Sequence, residues 1–435
     1  MPGQSLGRRF RWLWASYAVS AYGTALGFGA FALIAVVVLH AGAARVSALA
    51  AVGPAVGALL AVPLGPWVEA RRSAAVMIGM DLVRFAAMIS VPLAYALGWL
   101  GFAHLLIVSI VAAAAKIAFN AASGARLKEL VRSADLVVAN ARFESTNWSS
   151  LALGPPLGGA AIGLFGPVTT VLADAVSYLL SAGGVAASRD RAAERDPSAA
   201  RDRTDHVTGN SPRAGGTAGP DHHDMPATGR RPRRADQPGG VFEGWRHLWA
   251  HPELRALFVN QMLVNGLIMA TEPLLAVLLL GEFGMPAWQY GLAFAAPCLG
   301  GLIGSRLARR VVARRGQRWV FRVIGTTRAL WLVGLAFVQP GIGGLITVMV
   351  VELAIIISMS LYSPVLAAYR LERTPRDRVA RTLTAWSIST SAAIATLTAL
   401  GGLLADATSP RTAIAVAGLL ILATPLLLVG GTSTA

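Results

Sequence analysis

Twelve predominantly apolar runs dominate this chain, each close to the ~20 residues an α-helix needs to cross a hydrocarbon core. They cover residues 12–39, 46–67, 74–97, 102–122, 139–164, 168–187, 254–280, 288–307, 319–338, 342–368, 383–404 and 412–429. Such a pattern leaves few folds open. Inside lipid every backbone polar group must bond internally, so each run is expected to be a helix. Only 14% of the residues are charged, whereas soluble domains carry roughly a quarter. A large soluble enzyme is excluded, and an all-α polytopic membrane protein with twelve transmembrane helices is expected. The first run follows Arg8, Arg9 and Arg11 and is too long for the apolar core of a cleavable signal. It reads as a span that stays. Cys298 is the only cysteine, which excludes an internal disulfide and a cysteine metal cluster.

Loop charge alternates. Arg71 and Arg72, then Arg126, Lys128 and Arg132, then the arginines of 306–322 and of 370–381, all fall in even-numbered loops; the odd-numbered loops hold Arg45 and Arg411. Basic loops stay in the cytoplasm, so both termini are expected there. The net charge of +16 is therefore spread over short loops rather than a soluble basic face, and nucleic acid is not an expected partner. Between residues 188 and 240 the composition shifts to Asp, Arg, Pro, Gly and Ser, too poor in large apolar residues to bury a core. This stretch reads as a disordered cytoplasmic linker. Its His222 and His223 between Asp221 and Asp224 are a weak metal-site candidate, and its Arg230, Arg231, Arg233 and Arg234 would attract anionic headgroups. After it, Val241, Phe242, Trp245, Leu248 and Trp249 recur at helical spacing, implying a short helix on the membrane interface.

The flanking segments repeat each other. Arg71–Arg72 recur as Arg314–Arg315, Arg84 as Arg328, Arg126 as Arg370 and Gly158–Gly159 as Gly401–Gly402, all at an offset of 243 or 244. Four matches in order imply two pseudo-symmetric six-helix halves: residues 1–187, and residues 241–435 with the interfacial helix at their start. Parallel repeats of this kind place a substrate site between them near the bilayer midplane.

The fifth run contains Gly154-Pro155-x-x-Gly158-Gly159. The proline removes a backbone donor and the glycines remove side-chain bulk, so the helix can bend and a neighbour can pack closely. Ordinary small-residue packing is the plainer reading. Gly65, Glu69, Arg71 and Arg72 form a second motif in the loop after the second run, and Asp81-x-x-Arg84 follows it.

With these residues the chain resembles the major facilitator superfamily, and within it the drug:proton antiporter branch that includes macrolide-efflux and enterobactin-exporter proteins. The fifth-run segment is similar to that family's antiporter motif, with Ala141 and Ser150 in place of its earlier glycines. The loop segment is similar to its loop motif, with Glu69 where aspartate is usual. The resemblance implies a secondary transporter of the cytoplasmic membrane of a bacterium, driven by the proton gradient and needing no cofactor. Relatives often carry an aspartate in the first span where this chain has Thr24, so the proton route must use other acids.

Ionisable groups inside the runs are costly and therefore functional candidates. Glu272, Glu352, Asp174 and Glu144 are the candidate proton carriers, with Glu272 favoured because Pro273 follows it and a proline-broken helix usually lines a cavity. A carboxyl in a low-dielectric cavity holds its proton closer to neutrality than one in water. Asp81 and Arg84, one turn apart, can pair; they read either as a lock near the cytoplasmic ends of the spans or as a static pair that orients helices. Glu69 with Arg126, together with Arg71, Arg72, Arg328 and Arg370, completes the set of gating charges. Lys116 reads either as a partner for Asp81 or Glu144 or as an anchor for an acidic group of the substrate, and Tyr22, Trp148, Tyr362 and Trp386 read as cavity aromatics.

The expected function is export of a hydrophobic or amphipathic small molecule, of the drug, antibiotic or siderophore-like kind, in exchange for protons. The alternatives are an importer of the same fold and a non-transporting sensor or scaffold. A membrane enzyme is disfavoured because His-Glu-x-x-His is absent. A nucleotide-driven pump is disfavoured because the only lysines, Lys116 and Lys128, follow Ala115 and Leu127 rather than the glycine of a P-loop. Twelve spans suffice for a monomer.

Overall fold

The computed structural model describes residues 7–27, 29–60, 62–63, 67–68, 71–131, 135–187, 242–375 and 378–431. The linker, the histidine pair and the arginine cluster within it, Gly65 and Glu69 lie outside the described residues, as do the side chains of Lys128, Ala141, Glu144, Trp148 and Arg306.

The N-terminal half holds α1 (Gly7–Leu26, continued past Gly29 by Ala30–Leu33 and the π turn Ile34–Val38), α2 (Ala43–Leu60), α3 (Ser73–Ala96), α4 (Phe102–Leu130), α5 (Leu136–Phe165) and α6 (Pro167–Ala187). The C-terminal half holds α7 (Pro252–Ala276, then the π turn Val277–Glu282), α8 (Ala287–Arg315), α9, α10 (Ile342–Glu372), α11 (Val379–Ala407) and α12 (Pro410–Ala423, then Leu426–Gly431). The ninth element is irregular, running through Gln317–Trp319, a π turn Val320–Ile324, Gly325–Trp331 and a 3-10 turn Leu332–Phe337. Ten of these helices are long and apolar enough to cross a membrane. The other two, α5 and α8, have the length, 30 and 29 residues, but carry more polar side chains and pack against each other across the two halves. Burial of polar groups between halves is what lets such helices sit in a bilayer.

Gly29 breaks α1 because its φ of 75° lies in the left-handed region, which an L side chain adopts only with strain. A Cβ there would also come within 2.9 Å of the Tyr290 ring from the other half.

The halves meet chiefly through α2 against α11 and α5 against α8. Their buried apolar core is continuous across both halves at the end where α1 and α7 finish, joining Leu33, Ile34, Val46 and Leu49 to Val264, Leu274 and Leu279. At the opposite end, which carries the basic loops, two separate clusters form. One contains Phe10, Leu13, Met77 and Phe119; the other contains Leu248, Phe258, Phe321 and Trp386. We call the first end closed and the second basic.

The short amphipathic helix Glu243–Ala250 sits at the basic end and buries Gly244, His247 and Leu248. It docks on α11: Glu243 pairs with Arg381, and the Trp245 indole donates to Ser389 Oγ at 2.8 Å. Phe242 and Trp249 stay exposed, so only part of the apolar set read from the sequence is free to meet lipid.

Candidate site between the two halves

The N-terminal wall of the site is built from α1, α3, α4 and α6. Arg84 is 3% exposed; it donates to Asp81 at 3.3 Å and to Ser20 Oγ at 3.0 Å, and its guanidinium lies 3.8 Å from the Tyr178 ring centroid. The pair sits near the middle of the 24-residue α3, not at its basic end as the sequence implied. Every one of these partners belongs to the same half, an arrangement that orients α1, α3 and α6 relative to one another instead of bridging the halves.

Beside Arg84, Asp174 accepts from the Tyr178 hydroxyl at 3.1 Å and from Ser177 at 3.4 Å. Tyr178 has one proton to give, so while it bonds the carboxylate, its 2.8 Å contact with Thr24 has the threonine donating. Thr24 is thus the outer end of a Thr24–Tyr178–Asp174 chain. Lys116 on α4 is exposed and within electrostatic reach of Arg84 and Asp174, yet no ion pair forms within 4 Å among the described residues.

The C-terminal wall carries Glu272, Pro273 and Tyr290, with Glu352 near enough to Glu272 and Tyr290 to act on both electrostatically. Neither glutamate has a cation or hydrogen-bond partner among the described residues. A cavity of about 440 Å³ lies between the walls, lined by Thr24, Arg84, Lys116, Asp174 and Tyr178 from one half, by Glu272, Pro273 and Tyr290 from the other, and by apolar side chains such as Phe31, Val46, Leu49 and Met88. A second cavity of about 280 Å³ shares Thr24, Arg84 and Lys116 with it and extends toward Asn120, Asn147 and Ser150.

Arg328, the repeat partner of Arg84, is also fully buried and also lies over a tyrosine, 3.7 Å from the Tyr362 ring centroid. Its hydrogen bonds go to the side-chain oxygens of Gln261, at 2.8 Å, and Asn260, and no carboxylate lies within 4 Å among the described residues.

The glycines of α5 have specific work. A Cβ on Gly154 would fall 2.3 Å from the Ala25 Cβ, one on Gly158 would fall 2.2 Å from the Leu26 carbonyl oxygen, and one on Gly159 would fall 2.8 Å from Gly291 Cα. The motif therefore lets α5 touch the backbone of α1 within its own half and that of α8 across the interface. Ser150, beside it, bonds the Asn147 carbonyl at 2.8 Å and lines the smaller cavity.

Other residues read from the sequence are placed elsewhere. Arg126 pairs with Glu129 at 2.8 Å, an acid the sequence reading passed over, which also accepts from Ser73 at the start of α3. Arg71 lies over the Trp67 ring, and Arg72 precedes the first residue of α3. Arg370 covers the Trp386 ring at 4.6 Å. Tyr362 and Trp386 do not line the site: both are buried in the packing of the C-terminal half, the first under Arg328 and the second against Phe258. Tyr22 bonds Ser149 at 2.8 Å and ties α1 to α5. Tyr178, Tyr290 and Asn120 were missed, since lone polar residues in apolar runs give no periodic signal.

A helical bundle of two halves with an amphipathic, charge-bearing cavity between them defines a membrane transporter. The chain belongs to the Major Facilitator Superfamily, whose model matches residues 13–361 and 257–433. The fold is shared with a bacterial homologue of the iron transporter ferroportin in an inward-facing state (TM-score 0.71, 17% identity, covering 99% of this chain and 100% of that one). It is also shared with the nucleoside transporter NupG (0.70, 10%, 99% and 100%) and with a bacterial homologue of the lysosomal transporter Spinster (0.66, 14%, 99% and 96%). No curated protein matches the sequence significantly.

Proposed function

We propose that the protein is a secondary active exporter that moves a hydrophobic or amphipathic small molecule outward in exchange for protons by alternating access. The observation that carries this reading is Glu272, an acid with no bonded partner among the described residues, on the wall of a mixed polar and apolar cavity between the two halves. Such a carboxyl is uncompensated when ionised and neutral when protonated, so a proton and a substrate can alternate on it. On the N-terminal side Asp174, which lines the same cavity and is bonded by Tyr178, is the second proton site.

The protein sits in the cytoplasmic membrane of a bacterium with its basic end and both termini in the cytoplasm. The closed end then faces outward, and the cavity awaits substrate from inside. The backbone contact of α5 with α8 supplies the surface on which the halves rock. Residues 188–240 connect the halves as a cytoplasmic linker.

The test is accumulation of fluorescent drugs in an efflux-deficient bacterial host carrying wild type, Glu272→Gln or empty vector, each with and without a protonophore. Lower accumulation that both the protonophore and Glu272→Gln abolish is expected. Protonophore-sensitive efflux that survives the mutation would move the proton to Glu352 or Asp174, and raised accumulation would replace export by uptake.

A further inference from the structure

The smaller cavity differs from the larger one in its chemistry. Among the described residues no carboxylate lines it, whereas Lys116, Asn120 and Asn147 all do. Lys116 and Asn120 are one turn apart on the same face of α4, and Asn147 faces them from α5. All three are exposed, and none has a hydrogen bond or ion pair from its side chain among the described residues. The charges around them are already engaged. Arg84 is held by Asp81 and Ser20, and Asp174 is held by Tyr178 and Ser177 on the side of the larger cavity.

An ammonium at membrane depth is costly unless it is paired or wetted. This one is exposed at the cavity, and its three donors are left open beside two amides that can also donate. The complementary ligand group is an anion with several lone pairs and a size that fits about 280 Å³. We propose that the smaller cavity is the subsite for a carboxylate of the transported molecule. Lys116 takes its charge, Asn120 and Asn147 take its remaining lone pairs, and the apolar body lies in the larger cavity against Phe31, Val46, Leu49 and Met88. The substrate class is an amphipathic organic acid or zwitterion rather than a simple organic cation. This rests on the central cavities being the substrate route.

The competing account is that Lys116 only balances the charge of Asp174, in which case it would not discriminate between ligands that differ in an acid group. Rhodamine B and its ethyl ester share one ring system and differ only in the free carboxylate. Their binding to the purified full-length protein in lipid nanodiscs, followed by fluorescence polarisation, separates the two accounts. The acid is expected to bind at least about tenfold tighter than the ester to the wild type, the effect of one or two hydrogen bonds to a charged group. Lys116→Gln brings the ratio to about one with ester affinity unchanged, Lys116→Arg retains the preference, and Asn147→Ala reduces it in part. Equal binding of acid and ester to the wild type, or the same ratio in Lys116→Gln as in the wild type, overturns the proposal. If neither dye binds the wild type, the reading of the cavity as an amphipathic substrate site falls, and the proposal with it.

Discussion

Alanine at Gly291 is expected to pry the closed end apart. A Cβ there would stand 2.7 Å from Gly159 Cα and 2.9 Å from the Pro155 carbonyl oxygen. Both are backbone atoms on a facing helix, so no side-chain rotation relieves the clash and α5 and α8 must separate. Overpacking of this kind costs about 1–3 kcal/mol. The cost falls only on the state in which these helices touch, so with tenfold per ~1.4 kcal/mol it shifts the closed-to-open equilibrium of this end by about 5- to 150-fold. Spin labels on cysteines at Trp99 and Phe337, exposed on opposite halves near the closed end, would report the change as a longer population in the distance distribution once Cys298 is replaced. Gly159→Ala should act alike. The double variant should cost less than the sum, because one separation relieves both contacts. Gly183→Ala, where a Cβ meets nothing within 4 Å, is the control and should leave the distribution unchanged. An unaltered distribution in a well-folded Gly291→Ala protein would refute the argument that this glycine contact sets the closed state.

Asp406 Oδ1 accepts the Ala44 N–H at 3.0 Å, so an acid of the C-terminal half caps the first turn of α2 in the other half; Asp406→Ala should weaken closure by about 1 kcal/mol, seen with the same spin labels as a smaller shift than Gly291→Ala gives. Tyr178→Phe removes the donor to Asp174 and the acceptor for Thr24; if Asp174 carries a proton, the pH dependence of efflux shifts while substrate affinity holds, whereas loss of affinity alone would mean a purely structural role. Arg328→Met should destabilise the C-terminal half by roughly 1–3 kcal/mol by leaving Gln261 and Asn260 short of a donor, measurable as a fall in thermal unfolding temperature; no fall would show that the amides find other partners. At the basic end, burial first and the neighbouring His251 second push the His247 pKa below its ordinary value, with Arg378 adding to this and a backbone contact at Arg373 opposing it. The folded form therefore prefers neutral His247, and the docking of helix Glu243–Ala250 is fully stabilised above about pH 6.5 and weakens as pH falls below it. Faster amide exchange across this helix at pH 5.5 than at pH 7.5, beyond the intrinsic effect of pH, is expected; equal protection at both would contradict it.

The spans were legible because a bilayer sets one length and one composition for whatever crosses it, and runs such as 74–97 and 342–368 meet both. Arg84 stood out for the opposite reason, as a charge in an apolar run. What a linear pattern lacks is the rotation of each helix. Tyr362 and Trp386 were plausible cavity residues from depth alone, but α10 and α11 turn them into the packing of their own half. Lys116 was equally ambiguous, and it is the facing of α4 that exposes it to the cavities. Asp406 gives no linear signal, because its partner is a backbone N–H more than 360 residues away, a contact that only the assembly of the halves creates.

The repeat also shows where the halves have parted in chemistry. The 244-residue offset that carries Arg84 to Arg328 carries Asp81 to Gly325, so the cation persists and its acid does not. In the N-terminal half Arg84 is neutralised at 3.3 Å. In the C-terminal half, Gln261 and Asn260 solvate Arg328 through their carbonyl dipoles without cancelling its charge. Among the described residues, Glu272 and Glu352 of that half have no cation bonded to them, whereas the opposite half pairs Asp81 with Arg84 and sets Asp174 against the Tyr178 hydroxyl. An acid without a bonded cation can exchange its proton with a passing ligand without breaking an ion pair. This asymmetry supports the proposal of proton exchange at Glu272 and of recognition of the ligand's acid group at Lys116, on opposite sides of one cavity.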